Sequence, residues 1–296
     1  MLYSLTNEEL KKLRGANPLL ELINAEMLSA TFNTNMDVIK EIIPKPLSPT
    51  KDPLATVFVA RYPETNFGRL TYNEGALFIH CQYRGEKGFY CLSMPVDDDM
   101  AMIGGREQFG FPKKMADKIT LEQQNNRVIG TVVRKGVDIL RIEGQIGGET
   151  SENIFGDLGE SVTDWDGVPS YRVLSFLYKY FVNPSASNFD YRPRLVRVPL
   201  LYKRLGKTFE VSGKVTMSST PFDPLGEIPV GEILGIFYGK WHVTILPGRV
   251  VASIWNPIRF VRHAYFKTDV VPTLLSAYNP NLSARAKQVM KIARRF

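Results

Sequence analysis

Two adjacent lysines, Lys113 and Lys114, directly follow an aromatic–glycine–aromatic–proline run at residues 109–112. Apolar neighbours disfavour the charged form of an amine, and a second cation beside it acts in the same direction. A neutral amine is a nucleophile that attacks a ketone and forms an imine. The pair therefore predicts an enzyme that works through a Schiff base, with Phe109 and Phe111 as apolar walls of its pocket.

The longer segment from Gly104 to Lys114 resembles the active-site signature of the acetoacetate decarboxylase superfamily. That signature consists of Gly-Arg-Glu, a short spacer, an aromatic residue and Pro-Lys-Lys, which occur here in the same order. Acetoacetate decarboxylase is itself a standard example of a lysine activated by its surroundings. The resemblance implies that Lys113 forms the Schiff base with Lys114 beside it. It also implies that Arg106 and Glu107 support the lysine loop, as a buried ion pair can.

Weaker matches extend this resemblance over roughly residues 20 to 250. Residues 33–37 and 42–47 are similar to the family's early helix and Pro-x-Pro-Leu turn, and residues 228–247 to its last strand pair. The stretch from Tyr72 to Glu74 resembles the family's Tyr-x-Glu segment. This match implies that Glu74 is the catalytic carboxylate, which stabilises the iminium ion or moves protons, and that Tyr72 lies in the substrate pocket.

Two positions depart from the family pattern. Decarboxylases of the family carry an arginine on an early strand that grips the substrate carboxylate, and the aligned residue here is Ala25. A second family glutamate aligns near Phe58 or Val59, neither of which is acidic. A charge-assisted contact to a carboxylate is strong, so its loss matters. The resemblance thus implies a carbon–carbon lyase that acts on a small ketoacid. Acetoacetate itself is expected to be a poor substrate of this enzyme.

Two alternative functions use the same residues. Divergent members of the superfamily form enamines on the same lysine and run aldol condensation and dehydration on pyruvate-like ketoacids. Such members place a polar aromatic residue on a late strand, which maps to Tyr238 and makes it a further candidate for the pocket. The alternative outside enzymes is a non-catalytic barrel that binds a small carbonyl metabolite.

The sequence offers no metal or cofactor motif. The three carboxylates at residues 97–99 lack the remaining ligands of a divalent-metal loop. Gly104 and Gly105 lack the Gly-Lys-Thr context of a phosphate-binding loop. We therefore expect neither a metal nor an organic cofactor.

The composition predicts an ordinary globular protein. The chain has 296 residues, a net charge of +7, 44% hydrophobic and 23% charged residues. The basic excess is concentrated at residues 285–295, which we interpret as a solvated terminal helix; without an accompanying recognition motif it predicts no nucleic-acid partner. No apolar run is long enough for a membrane span and no signal peptide is visible, so we expect a cytoplasmic enzyme without a membrane partner.

Strand signals dominate the chain. Segments at 55–62, 75–83 and 88–94 are β-rich, and a meander at 119–145 has turns at Asn125-Asn126 and Lys135-Gly136. Many short strands with few helices predict a mainly β (α+β) fold, as an antiparallel barrel or two curled sheets. The resemblance implies a cone-like antiparallel β-barrel with a flanking sheet and a few short helices.

The expected organisation is a barrel domain at residues 1–250. Residues 251–296 form a C-terminal extension that packs on the same domain, ends in a helix and is a plausible contact of a homo-oligomer. Residues 147–167 are polar and predict a long connection or lid. Cys81 and Cys91 are predicted on neighbouring strands of one hairpin, where they can face each other as reduced, buried residues.

Overall fold

The computed structural model of the protein describes residues 3–15, 19–67, 70–184 and 188–269. The α-helices in these ranges are α1 (Asn7–Gly15), α2 (Met36–Ile42), α3 (Asp99–Gly104) and α4 (Pro257–Ala264), with a π-helical turn at Gly105–Phe109 and 3₁₀ turns at Gly156–Leu158, Leu225–Glu227 and Tyr265–Lys267. The strands are β1 (Leu20–Asn33), β2 (Ser48–Pro49), β3 (Leu54–Tyr62), β4 (Glu64–Thr65), β5 (Tyr72–Tyr83), β6 (Glu86–Val96), β7 (Lys113–Met115), β8 (Lys118–Gln124), β9 (Arg127–Arg134), β10 (Val137–Thr150), β11 (Gly159–Thr163), β12 (Pro169–Lys179), β13 (Arg194–Met217), β14 (Ile233–Ile245) and β15 (Arg249–Ser253).

Seven strands close into a barrel in the order β12-β6-β5-β3-β1-β14-β13, and β13 pairs back with β12. The neighbours are antiparallel except for a short parallel contact between β6 and β12. The long strand β13 continues beyond the barrel and pairs with β10, which carries β9 and β8 in a flanking sheet. The predicted antiparallel barrel with a flanking sheet and few helices is confirmed.

The barrel wall separates two buried clusters. On β5, Ala76 and Phe78 point into the barrel, while Leu77 and Ile79 point outward, as the two-residue period of a strand requires. The inner cluster draws on all seven barrel strands. The outer cluster lies between the wall, the flanking sheet and helices α2 and α4. Each fully buried Leu, Ile or Phe side chain contributes about 1.5–3 kcal/mol to the stability of the fold, so the clusters on both faces of the wall stabilise the barrel.

The turn chemistry of the meander was predicted correctly. Asn125, Lys135 and Gly136 adopt positive φ angles of 53°, 50° and 75°, which two-residue hairpin turns require. The hairpin of β5 and β6 also forms, but the two cysteines do not face each other. Its turn places Cys81 opposite Gly88, and Cys91, three residues farther along β6, points to the other face.

Residues 147–167 are not a structureless connection. β10 extends to Thr150, and β11 pairs with β12. The segment between β10 and β11 contributes Ile154 and Phe155 to the barrel interior. The predicted terminal helix lies outside the described residues, and the helix of the extension that is described is α4. Within the described ranges, no helix has the length and apolar character of a membrane span.

Candidate active site

Lys113 and Glu74 meet inside the barrel. The short strand β7 lies parallel to β6, with Lys113 beside Met94, and the Lys113 side chain enters the inner cluster. Its Nζ lies 2.7 Å from Oε2 of Glu74, which β5 carries. Both residues are buried, at 6% and 5% exposure. The two groups that the sequence assigned to chemistry therefore form one buried amine–carboxylate pair.

Aromatic side chains surround this pair. The Lys113 Nζ lies 5.0 Å from the ring centroid of Tyr72 and 5.9 Å from that of Phe111. The Tyr62 hydroxyl is 3.5 Å from Oε1 of Glu74. Burial, reinforced by the Glu74 charge, raises the pKa of both Tyr62 and Tyr72 well above the usual value. Both hydroxyls thus stay protonated and are available as donors near the carboxylate.

The cavity around the pair is narrow and mostly apolar, with a volume of about 50 Å³. Lys113 is the only cation and Glu74 the only anion among its described lining residues. Ser29, Thr56 and Ser175 add hydroxyls. The remaining walls are apolar or aromatic and come from Leu22, Met27, Phe58, Tyr62, Tyr72, Phe78, Phe89, Met94, Phe111, Ile154, Phe155, Val173, Leu200, Tyr202, Val243 and Ile245.

The two departures from the family pattern lie at interior positions. Ala25 is fully buried in the inner cluster, and Phe58 lines the cavity. Val59, the next residue on β3, points to the outer cluster. Of the two residues that the resemblance aligns near the family's second glutamate, Phe58 is therefore the one that faces the cavity, and Ala25 and Phe58 are both apolar.

Lys114 is not brought into the Lys113 cavity, although the sequence places both amines in one site. Successive residues of a strand point to opposite faces, and the Lys114 Nζ donates to Oδ1 of Asp223 at 3.0 Å and to the Phe222 carbonyl at 2.6 Å. It also lies 3.4 Å from Asp269. These carboxylates compensate its charge, so the expected repulsion between two neighbouring ammonium groups is not what shapes the site.

Lys114 belongs to an ion network on the outer face. Arg134 of β9 contacts Asp223 at 2.6 Å and Asp269 at 2.7 Å, and Lys135 lies 3.3 Å from Asp269. Asp223 and Arg134 are almost fully buried. The network connects β7 and β9 to a loop and to the segment after α4, and the contacts indicate a structural role for Lys114.

Arg106 and Glu107 do not form the expected buried ion pair. Both lie in the π-helical turn, where Glu107 is exposed, Arg106 is half-buried and no ion pair joins them in the described part of the chain. The turn acts through its backbone, because Gly110 and Phe111 donate their N–H groups to the Gly105 carbonyl at 3.0 and 3.1 Å.

Gly105 belongs to the Gly-Arg-Glu part of the motif, but its contact with Lys113 was not predicted from the sequence. A methyl group at this position would lie 2.7 Å from Cδ and Cε of Lys113, so the missing side chain leaves space for the lysine. Tyr62 and Tyr202, which also line the cavity, were missed as well. The inward parity of β3 (Phe58, Ala60, Tyr62) is the signal that could have found the first of them.

Two predicted pocket residues lie elsewhere. Phe109 is buried in the inner cluster but lies behind Phe111, with ring centroids 6.1 Å apart, and does not line the cavity. Tyr238 points away from the barrel interior, because the inward residues of β14 include Trp241 and Val243, at odd positions. Its hydroxyl donates to the buried Glu26 carboxylate on the outer side.

Two of the three carboxylates at residues 97–99, Asp97 and Asp98, have structural roles. Asp98 caps α3 by accepting a hydrogen bond from the Ala101 N–H at 2.7 Å, and Asp97 accepts from Asn73 N–H at 2.6 Å. Across the described ranges, no group of three or more His, Cys, Asp or Glu residues could hold a metal ion.

Comparison of the sequence with known proteins identifies the family to which the chain belongs. The family profile described as acetoacetate decarboxylase (ADC) matches residues 9–254. The chain belongs to the acetoacetate decarboxylase family. An acetoacetate decarboxylase of Burkholderia mallei (strain NCTC 10229) is 40% identical over 111 residues, which is 37% of this chain and 44% of that protein. The match thus spans less than half the length of that relative.

Solved structures share the fold. The crystal structure of acetoacetate decarboxylase from Legionella pneumophila aligns with a TM-score of 0.67 at 22% identity, covering 80% of this chain and 88% of that one. The enduracididine biosynthesis enzyme MppR, complexed with the condensation product of pyruvate and imidazole 4-carboxaldehyde, aligns with a TM-score of 0.63 at 16% identity, covering 80% and 90%. At these identities the likeness concerns the fold of the family.

Proposed function

We propose that this family member is a Schiff-base-forming lyase that acts on a small ketoacid through Lys113. The observation that supports this most directly is the buried Lys113–Glu74 pair at 2.7 Å in an apolar barrel cavity. A lysine in such surroundings is suited to nucleophilic attack on a carbonyl, and the adjacent carboxylate is suited to proton transfer.

The proposed reaction begins when Lys113 gives a proton to Glu74 and attacks the carbonyl carbon of the substrate. The carbinolamine loses water, with Glu74 supplying a proton to the departing oxygen, and an iminium ion forms. The iminium accepts the electron pair of the breaking carbon–carbon bond, CO₂ leaves, and an enamine remains. Protonation of the enamine carbon and hydrolysis then release the ketone and restore the lysine. Tyr62 and Tyr72 are positioned near the carboxylate and keep the site aromatic.

Acetoacetate is expected to be a poor substrate. Ala25 and Phe58 offer no charge at the positions where decarboxylases of the family carry an arginine and a glutamate. A buried charged contact is worth about 2–5 kcal/mol. At about 1.4 kcal/mol per tenfold change, its loss corresponds to a rate lower by tens- to thousands-fold if the contact acts in the transition state.

Aldol condensation and dehydration is the second candidate reaction. It also passes through an enamine on Lys113, which here forms when the iminium ion loses a proton from the neighbouring carbon instead of CO₂. The fold likeness to MppR, complexed with the condensation product of pyruvate and imidazole 4-carboxaldehyde, makes pyruvate and an aldehyde suitable test substrates. A cytoplasmic location and homo-oligomeric assembly stay predictions.

Reductive trapping tests the proposal. The full chain is incubated with acetoacetate or pyruvate and borohydride, and the adduct is mapped by peptide mass spectrometry. We expect the adduct on Lys113 and its loss in Lys113→Met, while exposed Lys207→Met serves as the matched control. CO₂ release measured on the same substrates separates decarboxylation from aldol chemistry. No adduct on Lys113 with either substrate would favour a non-catalytic binding barrel and overturn the proposal.

A further inference from the structure

A second cavity, of about 400 Å³, lies on the outer side of the barrel wall. Strands β6 and β12, helices α2 and α4 and the loop around Asp223 enclose it. Small-molecule sites typically have about 300–1,000 Å³, so this cavity is large enough for a ligand. Arg262 and Glu41, an ion pair of 3.3 Å with side chains 65% and 72% exposed, lie at its rim, so the cavity opens to solvent there.

Lys267 is the reactive group of this cavity that the proposed mechanism does not use. It is only 7% exposed, and its Nζ lies 3.4 Å from the Tyr178 carbonyl and 4.7 Å from the ring centroid of Tyr180. Among the described residues, no carboxylate lies within 4.0 Å of this amine. Lys114, which shares the cavity, is by contrast paired with Asp223.

The environment of Lys267 favours the neutral amine. A buried ammonium ion without an anion is unfavourable. Burial, helped by the charges of Arg106 and Lys179, lowers the pKa of Lys267 to about 7. At neutral pH a much larger fraction of this amine is therefore neutral than of a solvated lysine, whose pKa is about 10.4.

We propose that Lys267 and the outer cavity form a second carbonyl-binding site, which takes an aldehyde or ketone with an apolar body as an imine. The amine nitrogen attacks the carbonyl carbon to give a carbinolamine, which loses the oxygen and two protons as water and leaves a C=N bond. Tyr90, Tyr178 and Phe260 supply aromatic walls for the apolar body. This site lies outside the barrel and does not depend on the chemistry of Lys113.

The test uses the full chain with benzaldehyde and sodium cyanoborohydride at pH 7, followed by peptide mass spectrometry. We expect the N-benzyl adduct at Lys267 to form at least tenfold faster than at Lys207, whose side chain is 67% exposed. The adduct should persist in Lys113→Met and disappear in Lys267→Met. Val38→Trp, which adds bulk to a lining residue of α2, should slow it at least tenfold.

An even distribution of adducts over exposed lysines overturns the inference, and so does a Lys267 adduct that Val38→Trp leaves unchanged. Because mapping is done on the unmodified sequence, the result holds even if Lys267→Met does not fold. The two proposals fail separately: absence of a ketoacid adduct at Lys113 concerns the barrel site, and absence of a benzyl adduct at Lys267 concerns the outer cavity.

Discussion

The contact between Gly105 and Lys113 makes a sharp prediction, because the neighbouring Gly104 is a matched control. Both glycines have right-handed helical backbone angles, with φ of −62° and −58°. A methyl group at Gly104 would meet nothing within 4 Å, whereas one at Gly105 would lie 2.7 Å from Cδ and Cε of Lys113. Carbon atoms normally approach to about 3.5–4.0 Å, so Gly105→Ala must displace the lysine by about 1 Å.

This displacement should affect reactivity more than stability. The lysine stem is flexible, so it yields at small cost, but its Nζ moves relative to Glu74. A misplacement of about 1 Å at a reacting group can cost about 10²-fold in rate. Replacement of glycine by alanine at a compatible position stabilises a fold by about 0.4–1 kcal/mol. We therefore expect Gly104→Ala to be slightly stabilised with normal reactivity, and Gly105→Ala to be similarly folded but about 100-fold slower.

The assay compares the rate of borohydride-dependent adduct formation on Lys113, with pyruvate, in the two variants and the unmodified chain. Urea unfolding of each variant confirms that the folded fraction is the same. Trapping in Gly105→Ala at the unmodified rate would refute the view that this turn positions the lysine. Equal slowing in both variants would mean that the helical turn as a whole matters, and not the contact.

Three more predictions concern buried polar groups. Lys114→Met should destabilise the fold by about 3 kcal/mol, because it removes one partner of the buried Asp223. The rate of adduct formation on Lys113 per folded molecule should stay the same. Urea unfolding measures the stability and borohydride trapping measures the rate, and lost trapping with intact stability would contradict this prediction. Glu74→Gln should slow adduct formation on Lys113 by about 10²–10⁴-fold in a stopped time course, and an unchanged rate would exclude Glu74 from proton transfer. Burial lowers the pKa of His80 to about 4. As the pH falls below about 6.5, the unfolded chain therefore binds a proton that the folded chain does not. The free energy of unfolding should decrease by about 2–3 kcal/mol between pH 6.5 and 4. Unfolding at pH 7 and 4.5 should show a smaller loss in His80→Gln, and an equal loss would place the titration elsewhere.

The sequence predicted the barrel and singled out Lys113 because both depend on local patterns. Strand alternation and turn residues such as Asn125 and Gly136 define the elements, and the motif around Lys113 identifies the amine. Pairing Lys113 with Glu74 depended on the family resemblance, since the strand that carries Glu74 meets β7 only through β6.

What the sequence could not give is the face to which each side chain points. Tyr238 and Lys114 carry suitable chemistry, but strand parity turns both away from the cavity. Tyr62 lies outside the motif and Gly105 is only the first residue of its Gly-Arg-Glu part, and both act through contacts that only the folded chain creates. Lys267 was likewise inconspicuous, because its burial depends on packing of the segment after α4 against the barrel wall.

The opposite orientation of two identical neighbouring side chains has a consequence for how the family can vary. Lys113 and Lys114 point to opposite faces of β7 because they are consecutive residues of one strand. The number of residues after Gly110, whose φ of 98° ends the preceding turn, determines which lysine points to which face. A side chain at Gly110 would lie 2.9 Å from the Tyr178 carbonyl, so this position requires a glycine packed against β12. Deleting one residue between this glycine and the pair would move the first lysine to the place of Pro112, on the outer face, and the second to the place that Lys113 holds in the barrel. Which of the two amines faces the barrel cavity thus depends on the number of residues between Gly110 and the pair, and two successive lysines place one amine on each face of β7 in either register.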